Sequence, residues 1–287
     1  MKWFDYQAPR TVGEAVEAMT LHPTARALAG GTDLLVQMRA GRRTPDLIVD
    51  IKKIPELNEL RYEPGAGLTL GAAVPCYRIY NDAAVSRAYP SLAEVANIIG
   101  GTQIQGRASI GGNLCNAAPS ADAIPLLIAL GATCRVTGPN GERTMAVSDF
   151  CTAPGQNSLE AGELLVSIHL PETPAGGGAR YLRFIPRNEM DIAVAGAGVA
   201  VVLENGHIQS ARIALSAVAP TPLPVDASAL AGLAPDEGAL RKAGEIAAAA
   251  AKPITDMRGT ADYRRHLCSV LTRRALASAI AAAKETK

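Results

Sequence analysis

Hydrophobic and polar positions follow helical or strand periodicity over most of the chain. Apolar residues recur at helical spacing from Thr11 to Leu21, which predicts a short helix that ends at His22-Pro23, because proline disfavours its continuation. Residues 26–29 and 47–49 have strand character and are separated by a Gly-Gly turn. Strand, glycine turn, helix or turn, and strand in this order indicate α/β organisation at the amino terminus.

The middle of the chain continues this mixed pattern. Strand-like segments occur at residues 66–74, 132–136 and 164–170, a helical segment at residues 91–99, and a glycine-centred loop at residues 107–118, followed by an apolar stretch from Ile124 to Leu130. Residues 171–179 combine proline and glycine with almost no apolar content. We place a domain boundary there.

The carboxy-terminal part has strand pairs followed by helices. Residues 192–203 and 208–218 flank Asn205-Gly206, a dipeptide that often closes a β-hairpin, and therefore predict an antiparallel unit. Residues 239–251 and 261–284 are rich in alanine and predict two helices.

Composition excludes several classes of function. The chain has 28 basic and 27 acidic residues and a net charge of +1, without a basic stripe that would indicate nucleic-acid binding. No apolar run approaches the ~18 residues of a membrane span, and no apolar segment follows Lys2, so we expect a soluble, cytoplasmic protein. Five cysteines without a CxxC motif and four scattered histidines predict neither a disulfide scaffold nor a metal site.

The first candidate binding segment is the glycine turn at residues 29–35. Gly30 and Gly31 let the backbone approach a ligand closely and adopt positive φ angles. Successive backbone N–H groups in such a turn form an anion-binding concavity, and Thr32 adds a hydroxyl donor. A phosphate or pyrophosphate is therefore a candidate ligand, and a tight strand-to-helix connection is the alternative.

The second candidate segment, residues 108–122, is longer and consists of small residues, ASIGGNLCNAAPSAD. Its asparagines and serines supply donors and acceptors to a polyhydroxyl ligand, and its glycines leave room for close approach. A surface Ω-loop is the alternative. Neither segment matches GxGxxG or GxxxxGK[ST], so neither a nicotinamide-binding fingerprint nor a P-loop is predicted.

Three segments taken together resemble the signatures of the molybdenum hydroxylase flavoprotein subunits, the medium subunits of bacterial xanthine dehydrogenase and carbon monoxide dehydrogenase. They are AGGTDLL (29–35), SIGGN (109–113) with PSAD (119–122), and RNEMDIA (187–193). The resemblance spans essentially the whole chain, including RGTADYRR (258–265). It implies an α+β fold with a vanillyl-alcohol-oxidase (PCMH) type FAD-binding domain over residues 1–175, in subdomains of about 1–55 and 56–175. A smaller domain of antiparallel sheet plus helices, like that of the carbon monoxide dehydrogenase flavoprotein, would cover residues 176–287.

The resemblance also implies which residues bind FAD. Residues 28–33 and 109–113 would clasp the pyrophosphate, residues 99–101 would approach the flavin ring, and Ala118 and Asp122 would contact the ribityl or adenosine portion. Leu164 and Leu165 would form the adenine pocket and Arg183 would lie at the flavin edge. The full set is Leu28, Ala29, Gly30, Gly31, Thr32, Asp33, Ile99, Gly101, Ala108, Ser109, Gly111, Gly112, Asn113, Cys115, Ala118, Asp122, Leu164, Leu165 and Arg183.

The implied function is electron transfer within a heteromeric complex, without a catalytic residue on this chain. The molybdenum cofactor and the 2Fe–2S clusters would lie on a large and a small partner subunit, because this chain has no cysteine pattern for clusters. A dimer of heterotrimers and a soluble electron acceptor are implied. The flavin is expected to be non-covalent, since His22 and Cys115, the nearest candidates, do not stand where covalent relatives attach it.

Departures from the family pattern leave the electron acceptor open. Ile99 stands where some relatives carry an aromatic residue, and Met190 where some carry an acidic one. The cysteine-rich insertion of the 4-hydroxybenzoyl-CoA reductase type is lacking.

Two other functions stay open from the sequence. A self-contained flavin oxidase of the same fold would need a general base beside the flavin, for which only Tyr181 and His169 are near the candidate segments. A scaffold subunit that has lost its flavin is the other alternative, and the intact glycine segments count against it.

Overall fold

The computed structural model describes residues 1–286, which form fourteen strands and ten α-helices. The strands are β1 (Asp5–Gln7), β2 (Arg26–Leu28), β3 (Leu47–Asp50), β4 (Leu60–Glu63), β5 (Gly67–Gly71), β6 (Thr133–Gly138), β7 (Gly141–Ala146), β8 (Cys151–Ala153), β9 (Gln156–Asn157), β10 (Leu164–Leu170), β11 (Gly177–Phe184), β12 (Ala195–Glu204), β13 (His207–Ser216) and β14 (Leu223–Val225). The helices are α1 (Val12–Leu21), α2 (Leu34–Arg39), α3 (Cys76–Asn81), α4 (Ala83–Ala88), α5 (Pro90–Ile98), α6 (Thr102–Gln105), α7 (Ile110–Asn116), α8 (Ala123–Leu130), α9 (Glu237–Ala250) and α10 (Ala261–Glu285).

The amino-terminal part is a parallel three-stranded sheet in the order β1-β3-β2, against which α1 packs. Thr11 and Glu14 form a capping box that fixes the start of α1, since the Thr11 hydroxyl accepts the Glu14 amide and the Glu14 carboxylate accepts the Thr11 amide. The buried face of α1 meets Leu47 and Val49 of β3. This sheet places the end of β2, and with it the first glycine turn, at the edge of the core.

The middle part is an antiparallel sheet in the order β4-β5-β10-β6-β7, packed against helices α3 to α8. Tyr89, which is 2% exposed, donates its hydroxyl to the carbonyls of Leu170 and Pro171 at 3.2 and 2.9 Å. This contact fixes the end of β10 against the helical layer, where the chain leaves for the carboxy-terminal sheet.

The carboxy-terminal part is an antiparallel sheet in the order β11-β12-β13-β14, with α9 and α10 packed together on one face. Asn205 and Gly206 connect β12 to β13 with φ angles of 50° and 80°, as a type I′ hairpin turn requires. The predicted hairpin and the two predicted helices are therefore confirmed.

Helix α8 joins the middle and carboxy-terminal parts. Its residues Ile124, Leu126 and Leu127 are fully buried and belong to the core beneath the five-stranded sheet. Its other side lies against β12 and β13, and a Cβ at Gly198 of β12 would lie 2.6 Å from the carbonyl carbon of Pro125. A side chain at position 198 would not fit at this distance. Glycine therefore allows the backbones of β12 and α8 to pack directly against each other.

The mixed helix and strand content confirms the α+β class, and most predicted elements occur where expected. The loop predicted over residues 107–118 is wrong, since residues 110–116 form α7. Glycine disfavours helices by up to about 1 kcal/mol, yet tertiary packing overrides that preference here. The predicted proline- and glycine-rich connection over residues 171–179 ends early, because β11 begins at Gly177.

Across residues 1–286, no helix is both long and apolar enough to cross a membrane. The same part of the chain contains no cluster of three or more histidine, cysteine or acidic side chains arranged to hold a metal ion.

Candidate functional site

A cavity of about 1250 Å³ opens between the amino-terminal sheet and the helical layer of the middle part. Its walls are β2 with the first glycine turn, the segment around Ile99, helix α7 with residues 118–122, and the loop at residues 154–165. The volume exceeds the roughly 300–1,000 Å³ of an ordinary small-molecule pocket, and therefore suits a ligand of dinucleotide size.

The first glycine turn is fixed to the segment that precedes α7. Arg107 donates from Nε to the Gly30 carbonyl at 3.0 Å, and a Cβ at Gly30 would lie 2.0 Å from the Arg107 carbonyl oxygen. Gly31 has a φ of +77°, which side-chain-bearing residues rarely adopt. The two glycines therefore let the two candidate binding segments come together as one wall.

The two glycines of α7, Gly111 and Gly112, have different roles. A Cβ at Gly111 would lie 2.4 Å from the Ala72 carbonyl oxygen, so Gly111 permits helix α7 to pack on the chain that follows β5. Gly112 is exposed, and the nearest atom to a Cβ there is the Ser109 Oγ at 3.0 Å. That Oγ caps α7 by accepting the Gly112 amide. A side chain at Gly112 would therefore meet only this hydroxyl, whereas one at Gly111 would meet the Ala72 backbone.

Asn113 carries an unsatisfied acceptor on the cavity wall. Its Oδ1 is buried and has no hydrogen-bond partner within the described residues. A buried polar atom without a partner is destabilising, by about 1–3 kcal/mol for a neutral group. A ligand with a hydroxyl or N–H group would satisfy this oxygen, which is an observation that fits a polyhydroxyl cofactor.

Asp122 forms a buried polar cluster at the start of α8. Its Oδ1 accepts the Tyr181 hydroxyl at 2.8 Å, and its Oδ2 lies 2.5 Å from Arg183 Nη1. Arg183 also donates to the Ile98 carbonyl at 3.0 Å, next to the segment expected to approach the flavin. Burial raises the pKa of Asp122, and the Arg183 charge together with the Tyr181 hydroxyl opposes that rise.

Glu163 holds the loop expected to contact the adenine. Its two carboxylate oxygens accept Arg143 Nε and Nη2, both at 2.7 Å, and the Glu160 amide is a further donor at 2.7 Å. Arg143 also donates to the Ser158 carbonyl at 2.9 Å. The hydrogen bonds from Arg143 lower the pKa of Glu163. The loop from Ser158 to Glu163 is therefore tied to β7, from which Arg143 projects.

All but two of the residues implied by the resemblance line this one cavity; Gly101 and Arg183 do not. A Cβ at Gly101 would lie 3.2 Å from the Met190 sulfur, and the Arg183 guanidinium lies behind Asp122. His169 and Tyr181, the candidate oxidase bases, are also outside the lining: His169 is exposed on β10 and Tyr181 is buried among Asp122 and Ser216.

The two candidates for covalent flavin attachment are placed differently. Cys115 lines the cavity, but burial raises the pKa of its thiol to about 12, so the thiol is protonated and a poor nucleophile at neutral pH. His22 is absent from the lining, and its Nδ1 lies 3.5 Å from an Asp46 carboxylate oxygen.

Sequence reasoning missed a basic part of the wall, formed by Arg26, Arg42 and Arg43. Arg26 reaches only backbone carbonyls, and its pKa is lowered by burial and by the nearby charge of Arg43. Two guanidinium groups that repel each other here favour an anionic ligand. The Arg42-Arg43 pair between two predicted elements was the available signal, and a single pair is too common to be specific.

The third motif also contributes to the cavity. Residues 185–194 connect β11 to β12, and within this connection Asp191 and Ile192 line the cavity. Asp191 accepts the Arg187 and Ile192 amides at 3.2 and 2.8 Å, and Met190 has a φ of 52°. All three motifs that are far apart in sequence therefore meet at one site.

Comparison with known proteins gives two family matches. Residues 2–173 match the FAD binding domain in molybdopterin dehydrogenase, and residues 180–279 match the CO dehydrogenase flavoprotein C-terminal domain.

Individual relatives cover nearly the whole chain. The carbon monoxide dehydrogenase medium chain of Afipia carboxidovorans is 36% identical over 98% of both chains, and the xanthine dehydrogenase FAD-binding subunit of Escherichia coli O157:H7 is 32% identical over 97% of this chain and 96% of its own. A chain of the carbon monoxide dehydrogenase of Hydrogenophaga pseudoflava superposes with a TM-score of 0.93, at 36% identity and 98% coverage of both chains.

Proposed function

The chain belongs to the FAD-binding medium subunits of the molybdenum hydroxylases, and on this basis we propose that it binds FAD in the cavity and relays electrons for a heteromeric oxidoreductase. The electrons would come from 2Fe–2S clusters of a small partner subunit and leave to an external acceptor. The large partner subunit would carry the molybdenum cofactor and choose the organic substrate. The observation that carries the proposal is that three distant motifs line a single cavity.

The cavity suits FAD in size and in chemistry. Gly112 is exposed on the wall and has no side chain there, the Asn113 Oδ1 lacks a donor, and Arg26 with Arg43 supplies positive charge. A pyrophosphate complements the basic groups, and a polyhydroxyl chain complements the unsatisfied acceptor.

The residues of this chain would bind and orient the cofactor. We propose that the turn at Gly30-Gly31 and the start of α7 hold the pyrophosphate, and that Leu164 and Leu165 lie against the adenine. Arg183 would act on the flavin end through Asp122, because its guanidinium does not line the cavity. Bound FAD would supply one- and two-electron transfer, for which the protein provides position and electrostatics.

The cavity favours electron relay over a self-contained oxidase. Neither His169 nor Tyr181 lines it, so the two general bases considered from the sequence do not face the cofactor. The protonated Cys115 thiol is in keeping with non-covalent FAD.

We propose domain limits of 1–175 and 176–287, with subdomains of about 1–55 and 56–175 in the first domain. Separate buried clusters in the three parts support this division. The cluster of the first subdomain also contains Leu164 and Val166 of β10, so the two subdomains share one strand. The dimer of heterotrimers, the cytoplasmic location and the acceptor stay predictions.

The test is purification of the affinity-tagged chain from its native cell, followed by measurement of cofactors. We expect a complex that contains FAD, iron and molybdenum, with a visible flavin band that reductant bleaches. A complex with iron and molybdenum but no FAD would contradict electron relay and support the flavin-free scaffold function. Flavin bleaching by an organic substrate in the isolated, FAD-loaded chain would instead establish the oxidase.

A further inference from the structure

Two consecutive residues of α10 contact both sides of the connection between β11 and β12. Phe184 and Val194 form the neck of this connection, where the Val194 amide donates to the Phe184 carbonyl at 2.9 Å. Tyr263 packs edge-on against the Phe184 ring at 5.9 Å between centroids, and Arg264 Nη1 donates to the Val194 carbonyl at 3.2 Å. The first turn of α10 therefore holds the neck from outside the cavity.

Arg264 is buried and holds a second segment as well. Its side chain is 4% exposed, and Nη1 also donates to the Ala217 carbonyl at 3.0 Å. The Ala217 amide donates to the Pro119 carbonyl at 2.7 Å, in the segment that leads to Asp122. One guanidinium thus contacts the end of the connection that contains Asp191 and Ile192, and a residue that is hydrogen-bonded to the segment before Asp122; those three side chains line the cavity.

The backbone at both stretches is in a conformation that needs support. Ala217 and Met190 have φ angles of 64° and 52°, in the left-handed region that residues with a side chain rarely adopt. Such conformations persist only where surrounding contacts hold them. At Ala217 those contacts are the Pro119 carbonyl on one side and Arg264 on the other.

A charge partner anchors Arg264 in place. Asp256 Oδ1 lies 2.5 Å from Arg264 Nη2, and the same carboxylate accepts the Arg258 amide at 2.8 Å. The turn before α10 therefore fixes the guanidinium in the orientation that reaches the two carbonyls. A planar guanidinium can bond several acceptors at once, which a lysine ammonium on a flexible stem does not reproduce.

We propose that Arg264, assisted by Tyr263, is a positioning residue that sets the 185–193 loop and residues 119–122 against the cofactor. This inference rests on the proposed function only where it concerns FAD. Its structural part, control of the loop by the start of α10, holds for the FAD-free chain.

Trypsin tests the structural part in the full-length FAD-free chain. Arg187, whose side chain is 70% exposed, offers a cleavage site inside the loop, and Arg43, exposed between α2 and β3, offers a reference site elsewhere. Arg264→Met should raise the cleavage rate after Arg187, relative to that after Arg43, by about tenfold, a typical size for a coupling of this kind. Arg264→Lys should give a value between wild type and Arg264→Met.

The matched control is Arg274→Met, an exposed arginine on the same helix. It should leave the cleavage ratio unchanged. If Arg264→Met does not fold, Tyr263→Ala at a position that is 41% exposed provides the same test. An unchanged cleavage ratio in the folded variant overturns the inference.

A second readout uses the assembled complex. Arg264→Met should alter the visible circular dichroism of bound FAD and weaken FAD binding, while Arg274→Met should change neither. A wild-type complex without FAD would contradict the proposed function and leave the cleavage result standing. Bound FAD with a wild-type spectrum and affinity in Arg264→Met would instead contradict only the positioning role.

Discussion

Asp122 and Arg183 form a buried ion pair with 2.5 Å between Oδ2 and Nη1, and this pair joins the first residue before α8 to β11. The two side chains are 12% and 10% exposed. Asp122 lines the cavity and Arg183 does not, so the wall depends on a charge that lies behind it.

Arg183→Met should destabilise the protein strongly, because it leaves a buried carboxylate without its counter-ion. Breaking a buried pair in this way costs about 3–5 kcal/mol. Arg180→Met, on the same strand, breaks the exposed pair with Glu94 and should cost less than about 1 kcal/mol. Urea unfolding at neutral pH measures both losses of stability. Equal losses would show that the buried Asp122–Arg183 pair contributes no more than the exposed pair.

The loss in Arg183→Met should depend on pH. Burial already raises the pKa of Asp122, and removal of Arg183 takes away a charge that opposes the rise. A carboxyl whose folded pKa exceeds its unfolded value of ~3.9 binds more protons when folded, so stability falls as pH rises above that value. The stability difference from wild type should therefore be larger at neutral than at acidic pH. A difference independent of pH would contradict this.

Gly112→Val should weaken FAD binding by at least about tenfold, because its methyl groups would project from the cavity wall toward the ligand. The fold should survive, since the Ser109 Oγ is the only atom within 4 Å of a Cβ at Gly112, at 3.0 Å, and valine is a better helix former than glycine. Gly13→Val is the matched control: Gly13 also lies in a helix, and a Cβ there would contact nothing within 4 Å. Titration with FAD measures the affinity of each variant. Wild-type affinity in Gly112→Val would contradict the placement of the cofactor against α7.

Gly111→Val is a different experiment. Because a Cβ at Gly111 would lie 2.4 Å from the Ala72 carbonyl oxygen, the substitution disrupts core packing before any cofactor is present. Lost flavin in that variant would not locate the binding site.

Asn113→Ala should have opposite effects with and without FAD. In the FAD-free chain it removes a buried acceptor without a partner, so the melting temperature should stay the same or rise. In the presence of FAD it removes an acceptor from the ligand, so the FAD-induced rise in melting temperature should shrink. If Asn113→Ala lowers the melting temperature without FAD and leaves the FAD-induced rise unchanged, Asn113 stabilises the fold and does not contact the cofactor.

Arg143→Met should remove stability that wild type has at neutral pH and loses in acid. Arg143 lowers the pKa of Glu163, so the ionised pair stabilises the fold above the unfolded carboxyl value of ~4.3 and loses this contribution as pH falls through the folded value. Urea midpoints of variant and wild type should therefore differ near neutrality and converge in acid. Arg135→Met, whose partner Glu142 is 50% exposed, should show little such dependence.

The sequence predicted the elements whose signals are local. The helix from Thr11 to Leu21, the Asn205-Gly206 hairpin and the carboxy-terminal helices need only nearby residues, and each occurs as expected. Helix α7 was missed because its two glycines indicate a loop locally. Glycine is required at position 111 because helix α7 packs there on the backbone of Ala72, which is distant in sequence.

The candidate site was predictable as a set of motifs and not as a geometry. The glycine segments and their resemblance to one family identified most of the wall. The arginines at positions 26 and 43 come together only through the fold, and the support of the 185–193 loop by Arg264 joins residues some 70 positions apart. Such relationships depend on tertiary contacts, which no local pattern contains.

Because α8 lies between two sheets, we expect folding of the middle part to depend on folding of the carboxy-terminal part. One side of this apolar helix completes the core of the middle part, and the other is covered by β12 and β13 at the distance that Gly198 permits. A truncated chain ending before β11 would leave that second side in water, where it would favour aggregation. We therefore expect the middle and carboxy-terminal parts to unfold together, in one cooperative transition, because a buried apolar interface joins them.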